Sequence, residues 1–257
     1  ALPIFKDFEI LKGELVDNYE RFGTTRYFFS DETFNDSVQK VELIQKISQE
    51  LPFKLEYFAY LRLDLLDRNP ETVEMLYNSG LRYTHFGIET LNPNAGKTIG
   101  KSFTFEKAKK AIDHIKQVSN GELNLHGTFM VGLPHDTEAS ILETYNHLKN
   151  RDIALDSFYF LPLFIPRDPF PQSEFGRNYL AYGYQAMDPN DPLWGEQIRK
   201  LSNFAHFPGV IWQRQDSSMN FFTAEKLANS LNESGLEFKK LGHIAALGVS
   251  EIGRAHV

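Results

Sequence analysis

Five short runs rich in aromatic and β-branched residues recur along this chain, at 25–29, 55–60, 82–86, 123–131 and 156–161, and a stretch with helical periodicity separates each from the next. Their ends near Phe29, Tyr60, Phe86, Val131 and Leu161 fall roughly 30 residues apart, with one longer interval before Val131. A chain with that beat builds repeated β-α-β units, and parallel strands joined by helical crossovers give either an open doubly wound sheet or a barrel. Periodicity alone does not separate the two.

The helical stretches carry their own punctuation. Val38, Val41, Ile44 and Ile47 keep a 3.6-residue spacing after Asn35-Asp36-Ser37. Asn69 is placed to cap the next helix, with Pro70 in its first turn and Gly80 past its end. Phe105, Ala108, Ile112 and Ile115 form a third stripe opposite Lys107, Lys109 and Lys110, which read as one solvated face. Asp136 or Thr137 starts a fourth helix carrying Ile141, Leu142, Tyr145 and Leu148, and Leu11, Leu15 and Tyr19 predict one more ahead of the first strand. After residue 161 frequent prolines and aromatics predict an irregular extension with helices near 193–205 and 223–234.

Of the 257 residues 42% are hydrophobic, an ordinary globular share. The net charge of −7 argues against a general nucleic-acid binder, which needs a basic surface for phosphates. No apolar run approaches the length of a membrane span, and no signal peptide is visible. With no cysteine there is neither a disulfide framework, a thiolate metal site nor a cysteine nucleophile, and the expected location is the cytoplasm. Residue 1 is Ala, and residues 251–257 read as a translated sequencing adapter, so the expectation is a fragment whose last seven residues stand outside the fold.

In barrels and open parallel sheets ligands bind at the carboxyl ends of the strands. Those ends carry Ser30-Asp31-Glu32, then Arg62 and Asp64, then Gly87-Ile88-Glu89-Thr90, then Gly132-Leu133-Pro134. Four carboxylates and an arginine on one rim suit a ligand bearing an ammonium, a carboxylate and hydroxyls. The competing reading is local: Asp31, Glu32 and Asp64 cap the helices that follow, and Arg62 pairs with one of them. Gly132 has no Cβ, so a flat ring could lie against the backbone where the fourth strand ends.

In this order the segments Phe28-Phe29-Ser30-Asp31-Glu32-Thr33-Phe34, Arg62-Leu63-Asp64, Phe86-Gly87-Ile88-Glu89-Thr90 and Phe129-Met130-Val131-Gly132-Leu133-Pro134 resemble the radical S-adenosylmethionine (radical SAM) enzymes over roughly residues 10 to 165. The resemblance implies an α/β fold, a partial (β/α)6 TIM-like barrel of which strands two to six are present over 1–165, followed by an irregular and helical extension over 166–250. It implies that Ser30, Asp31 and Glu32 meet the methionyl amino group of SAM, and that Arg62 meets its carboxylate or ribose. Glu89 and Thr90 would contact the ribose, and Met130, Val131 and Gly132 the adenine. Only Glu32 matches the Gly-Gly-Glu form many members carry, and Thr128, Met130 and His135 depart from their Gly-x-Ile-x-Gly-x-x-Glu pattern. The Cys-x-x-x-Cys-x-x-Cys loop that binds a [4Fe–4S] cluster is missing and would lie upstream of Ala1. The implied whole enzyme cleaves SAM reductively at that cluster to start radical chemistry on an unknown substrate; it needs an electron donor, and some relatives add cobalamin. The 257 residues alone are expected to be inactive, and the resemblance assigns no catalytic residue.

Two rivals come from other classes. A metal-dependent barrel hydrolase would use His85 and His126 with Asp31 or Glu89 as ligands, although no His-x-His pair or His-Glu-x-x-His helix is present. A cluster-free barrel would bind SAM, a nucleotide or a protein partner through Tyr179, Tyr182, Tyr184, Trp194 and Trp212, residues that equally suit packing of the extension over the barrel.

Overall fold

In a computed structural model of the chain, the structure describes residues 7–101, 103–167, 174–203, 209–234 and 253–255. Five strands, β1 (Arg26–Phe29), β2 (Glu56–Leu61), β3 (Leu81–Glu89), β4 (Asn124–Val131) and β5 (Ser157–Pro162), pair in sequence order, and every pairing among them is parallel. Helix α1 (Phe8–Phe22) precedes them and α2 (Val38–Glu50) joins β1 to β2. Two helices fill each of the next connections: α3 (Leu63–Arg68) and α4 (Glu71–Asn78), then α5 (Pro93–Thr98) and α6 (Phe105–Val118). Helix α7 (Glu138–Lys149) leads into β5.

The helices gather on one side of the sheet, where α1 packs on α2, α2 on α4 and α4 on α6. Strand residues therefore alternate between two environments. Tyr27, Phe29, Tyr57, Leu61, Phe86, Leu125, Phe129 and Val131 are buried against the helices, whereas Phe28, Phe58, Tyr60, His85, Thr128 and Met130 look into a half-open inner face. A doubly wound sheet would cover both faces with helices. The uncovered inner face decides for barrel-type curvature, and no pairing among the described residues closes the sheet.

Local chemistry accounts for the helix ends. Ser37, Thr104 and Thr137 accept a backbone N–H from the third residue of α2, α6 and α7, and Ser140 completes a reciprocal capping pair with Thr137. Asn69 departs from its expected role. It closes the short α3, its side chain donating to Leu65 O at 3.3 Å, and Pro70 stands at the start of α4. Leu142, expected on the buried stripe of α7, is exposed, and Thr144 is buried instead.

Beyond β5 the chain forms α8 (Glu174–Arg177), a 3-10 turn (Tyr179–Tyr182), β6 (Tyr184–Ala186), α9 (Gly195–Asn203), β7 (Trp212–Arg214) and α10 (Phe221–Ser234). Helices α9 and α10 fall where the prolines leave room for them, while the antiparallel β6–β7 ribbon was not anticipated. Helix α10 covers the free edge of β5. There Asn232 accepts the N–H of Phe160 and donates to its carbonyl, both at 2.9 Å, so one side-chain amide stands in for a sixth strand. The apolar core is continuous from Leu11 to Leu231 and includes Tyr184, Trp212, Ala224 and Ala228. On the opposite edge β8 (Gly253–Ala255) pairs in parallel with Tyr27–Phe29. These residues belong to the tail set aside on sequence grounds; strand addition uses backbone groups that any sequence carries.

Candidate functional site: the carboxyl rim of the sheet

Each rim residue is best judged by what already holds it. At the end of β1, Asp31 accepts the N–H of Thr33 at 2.8 Å and an ion pair from Lys40, a lysine whose side chain is 5% exposed. Asp31 is thus committed to ordering its own turn, as the local reading allowed. Ser30 and Glu32 are exposed, and neither side chain has a partner among the described residues.

At the end of β2, Arg62 forms a two-pronged bond to Asp64, with Nε and Nη2 at 3.0 and 2.8 Å. Its backbone is gripped by Asn35, which accepts Arg62 N–H at 2.8 Å and donates to Arg62 O at 3.0 Å. Asn35 ties the turn after β1 to the end of β2. Nothing in its sequence context distinguished it from a helix-start asparagine.

The end of β3 holds the most committed carboxylate that still reaches the rim. Glu89 sits at φ +69°, a left-handed backbone unusual for a side-chain-bearing residue, and the β3–β4 register shifts there. Its carboxylate folds back over Gly87, where an added Cβ would lie 2.6 Å from Oε1. Lys101 donates to that same oxygen at 3.0 Å and to Gly87 O at 2.8 Å. The Glu89 side chain remains 16% exposed. Lys101 was missed because it lies outside any strand end and reaches the rim only through the α5 turn. Thr90 is buried, and its hydroxyl accepts the N–H of Asn92 at 3.0 Å.

At the end of β4 the three expected adenine contacts separate. Met130 lies on the inner face and is partly buried. Val131 is wholly buried on the helix side, and its carbonyl accepts Leu163 N–H at 2.9 Å. Gly132 does lie under a flat ring, at φ +101°, but the ring is the chain's own. A Cβ on Gly132 would stand 2.5 Å from the Trp212 indole and 3.5 Å from the sulfur of Met219. Tyr184 donates its hydroxyl to Gly132 O at 2.6 Å. Trp212, fully buried, donates to Leu163 O at 2.8 Å, and Arg214 donates to the carbonyls of Leu133 and Asp136. Asp136 closes the turn by accepting Leu133 N–H at 3.1 Å. Burial raises its carboxyl to about 7, against the lowering effect of Arg214 and of hydrogen bonds from Leu133, Asn92 and Gly132. Packing thus accounts for Tyr184 and Trp212.

Deeper on the inner face, register aligns Tyr60, His85, His126 and Ser157 across four strands. The two imidazoles lie 4.8 Å apart, with Thr128 Oγ1 3.1 Å from His85 and Ser157 Oγ 2.6 Å from His126. Burial depresses both to about 4, so they are neutral at ordinary pH. They do not gather a carboxylate: Asp31 is held by Lys40 and Glu89 by Lys101, and among the described residues no group of three or more His, Asp or Glu could hold a metal ion. The geometry gives the hydrolase reading no centre.

The rim fits SAM in part. Acceptors without a partner among the described residues stand at Ser30 and Glu32, an anchored carboxylate at Glu89 and an apolar shelf at Met130. The Gly132 face is taken and Arg62 is engaged. A [4Fe–4S] cluster does not fit these residues, since a chain without cysteine offers it no thiolate.

Comparison with known proteins bears on the fold and the family. An uncharacterized methyltransferase of Pyrococcus horikoshii is 26% identical over 206 residues, covering 75% of this chain and 42% of the relative. The bacteriochlorophyllide d C-12(1)-methyltransferase of Chlorobaculum tepidum is 22% identical over 216 residues, 81% of this chain and 46% of the relative. The chain thus spans less than half the length of these curated relatives. The radical SAM methyltransferase TsrM from Kitasatospora setae, solved with tryptophan and a SAM analogue, shares the fold at a TM-score of 0.57 and 16% identity, over 73% of this chain and 36% of that one. TsrM solved with cobalamin and a [4Fe–4S] cluster gives a TM-score of 0.51 at 16% identity, over 61% and 29%. The fold is accordingly the α/β partial barrel of these enzymes. Residues 11–148, more than half of the chain and including every rim segment, match the radical SAM superfamily, and the chain belongs to that superfamily.

Proposed function

We propose that the carboxyl rim binds SAM and that the whole protein is a radical SAM enzyme of the methyl-transferring kind. The observation that carries the reading is Glu89: a carboxylate at the end of β3, fixed by Lys101 over a glycine that its own oxygen keeps free of a Cβ, and still open to solvent. Glu89 would accept from the ribose hydroxyls, Lys101 holding its carboxylate in place. Ser30 and Glu32 would receive the methionyl ammonium, and Met130 would support the adenine edge. Asp31, Arg62, Thr90, Val131 and Gly132 would act one step back by holding the turns that carry these groups. SAM when bound supplies the transferable methyl group or, on reductive cleavage, the radical that starts the reaction. The thiolates and electron donor required for such cleavage lie outside these 257 residues.

The names of the two curated relatives support methyl transfer, and the cobalamin in one TsrM structure makes cobalamin a second cofactor to test. In this reading residues 1–165 form the cofactor-binding unit and 166–250 an extension, whose described residues pack on its β4–β5 end. No helix among the described residues is long and apolar enough to cross a membrane. Equilibrium dialysis of labelled SAM tests the rim. Glu89→Gln keeps the shape but removes the charge-assisted bonds, and is expected to weaken binding roughly five- to tenfold. Equal binding by wild type and variant would remove Glu89 from the site.

A further inference from the structure

In the turn after β4 three separate backbone carbonyls are held by one distant segment. Tyr184 of β6 takes the carbonyl of Gly132, and Arg214 of β7 takes those of Leu133 and Asp136. Trp212 lies on the Cα of Gly132 and bonds Leu163 at the end of β5. Leu133 N–H also donates to the Asp136 carboxylate at 3.1 Å. The carbonyl of Gly132 and its open face are therefore both used inside the protein.

We propose that the β6–β7 ribbon is a positioning element of the SAM site: Tyr184, Trp212 and Arg214 set the height and direction of the β4 end, and with it the Met130 shelf, without touching the ligand. The inference rests on the rim reading above. Its physical basis is that Gly132, at a left-handed angle two residues beyond Met130, is held by Tyr184 and Trp212 of the ribbon. Free of them, the β4 end would relax toward ordinary strand or turn geometry, and the shelf would move relative to Glu89. A displacement of this kind, near 1 Å, is enough to cost a binding site much of its affinity.

Asp136 provides a readout that a purely structural role would not move. The charged or titratable groups facing its carboxyl are Arg214 from β7, Glu89 from the end of β3 across a shared cavity of about 10 Å³, and Tyr184 beside Arg214. From α7, Ser140 and Thr144 face the same cavity and carry no charge. When Asp136 takes a proton it becomes a poorer acceptor for Leu133 N–H, so SAM affinity is expected to fall as pH drops through about 7. Removing Arg214 takes away the nearest cation, and the midpoint should move up.

The test is SAM affinity across this pH range for the wild-type chain, Tyr184→Phe, Arg214→Met and Ile47→Val, the last a core change on α2 away from the rim. Tyr184→Phe keeps the ring and loses one hydroxyl, so it should fold; it is expected to weaken binding roughly tenfold, about 1.4 kcal/mol, more than Ile47→Val at matched thermal stability. Arg214→Met should shift the pH midpoint upward. Tyr184→Phe losing no more affinity than Ile47→Val, with an unmoved midpoint in Arg214→Met, would overturn the proposal while leaving the rim reading standing. A wild-type chain that shows no saturable SAM binding overturns both.

Discussion

At the residue scale, Gly132 shows how one position carries two constraints that add. Its φ of +101° strains any side chain, and a Cβ would enter the Trp212 ring. Gly132→Ala is therefore expected to cost about 2–4 kcal/mol in denaturant unfolding. In a Trp212→Ala background the steric part vanishes, and the further cost of Gly132→Ala should shrink to about 1 kcal/mol. Strictly additive losses would show that the ring and the glycine do not meet. The buried titratable groups set opposing pH limbs. Asp136 holds its proton more tightly folded than unfolded, so its contribution to stability is complete below about pH 4 and is lost as pH rises through about 7, on the order of 4 kcal/mol. His85 and His126 run the other way: depressed to about 4 by burial, they contribute fully above about pH 6.5 and lose that contribution as pH falls toward 4. Asp136→Asn should flatten the neutral-to-alkaline decline in melting temperature, and a double His85→Gln, His126→Gln change the acid limb. An Asp136→Asn profile that keeps its decline would assign the titration elsewhere.

At the scale of elements, Asn232 replaces a strand with one amide. Asn232→Leu leaves both backbone groups of Phe160 without a partner beneath α10 and is expected to destabilise by about 1–3 kcal/mol. Asn232→Asp keeps the acceptor for the N–H but sets a carboxylate against the Phe160 carbonyl, and should be no better. A variant with leucine as stable as wild type would mean that α10 holds β5 by apolar packing alone. The five strands and the four long helices before β5 were legible because each carries a full period-2 or period-3.6 pattern over many residues. The short α3 and α5 were not, since six residues hold barely one apolar repeat. The ribbon was hidden for another reason. Its three-residue strands are separated by α9, and their register is set by what they cover rather than by their own sequence.

At the scale of the molecule, the fold brings the strand ends to one rim, and that convergence was legible once the β-α-β beat was seen. What each rim residue does there was only partly so. Glu32 and Glu89 look alike in sequence, yet one has no partner among the described residues and the other is locked to Lys101, twelve residues on. Arg62 and Asp31 carry ligand-like chemistry and are engaged with neighbours two and nine residues away. The partners of Gly132 come from more than fifty residues downstream, beyond the reach of any local motif. The central claim, that this rim and not the inner face of the barrel receives SAM, is tested most directly by an amide chemical-shift map of the chain titrated with SAM. Shifts are expected to concentrate at Ser30 to Glu32, Gly87 to Thr90 and Met130, with little change at His85 and His126. Shifts centred on the histidine row with the strand ends silent, or no saturable shift at all, would contradict it.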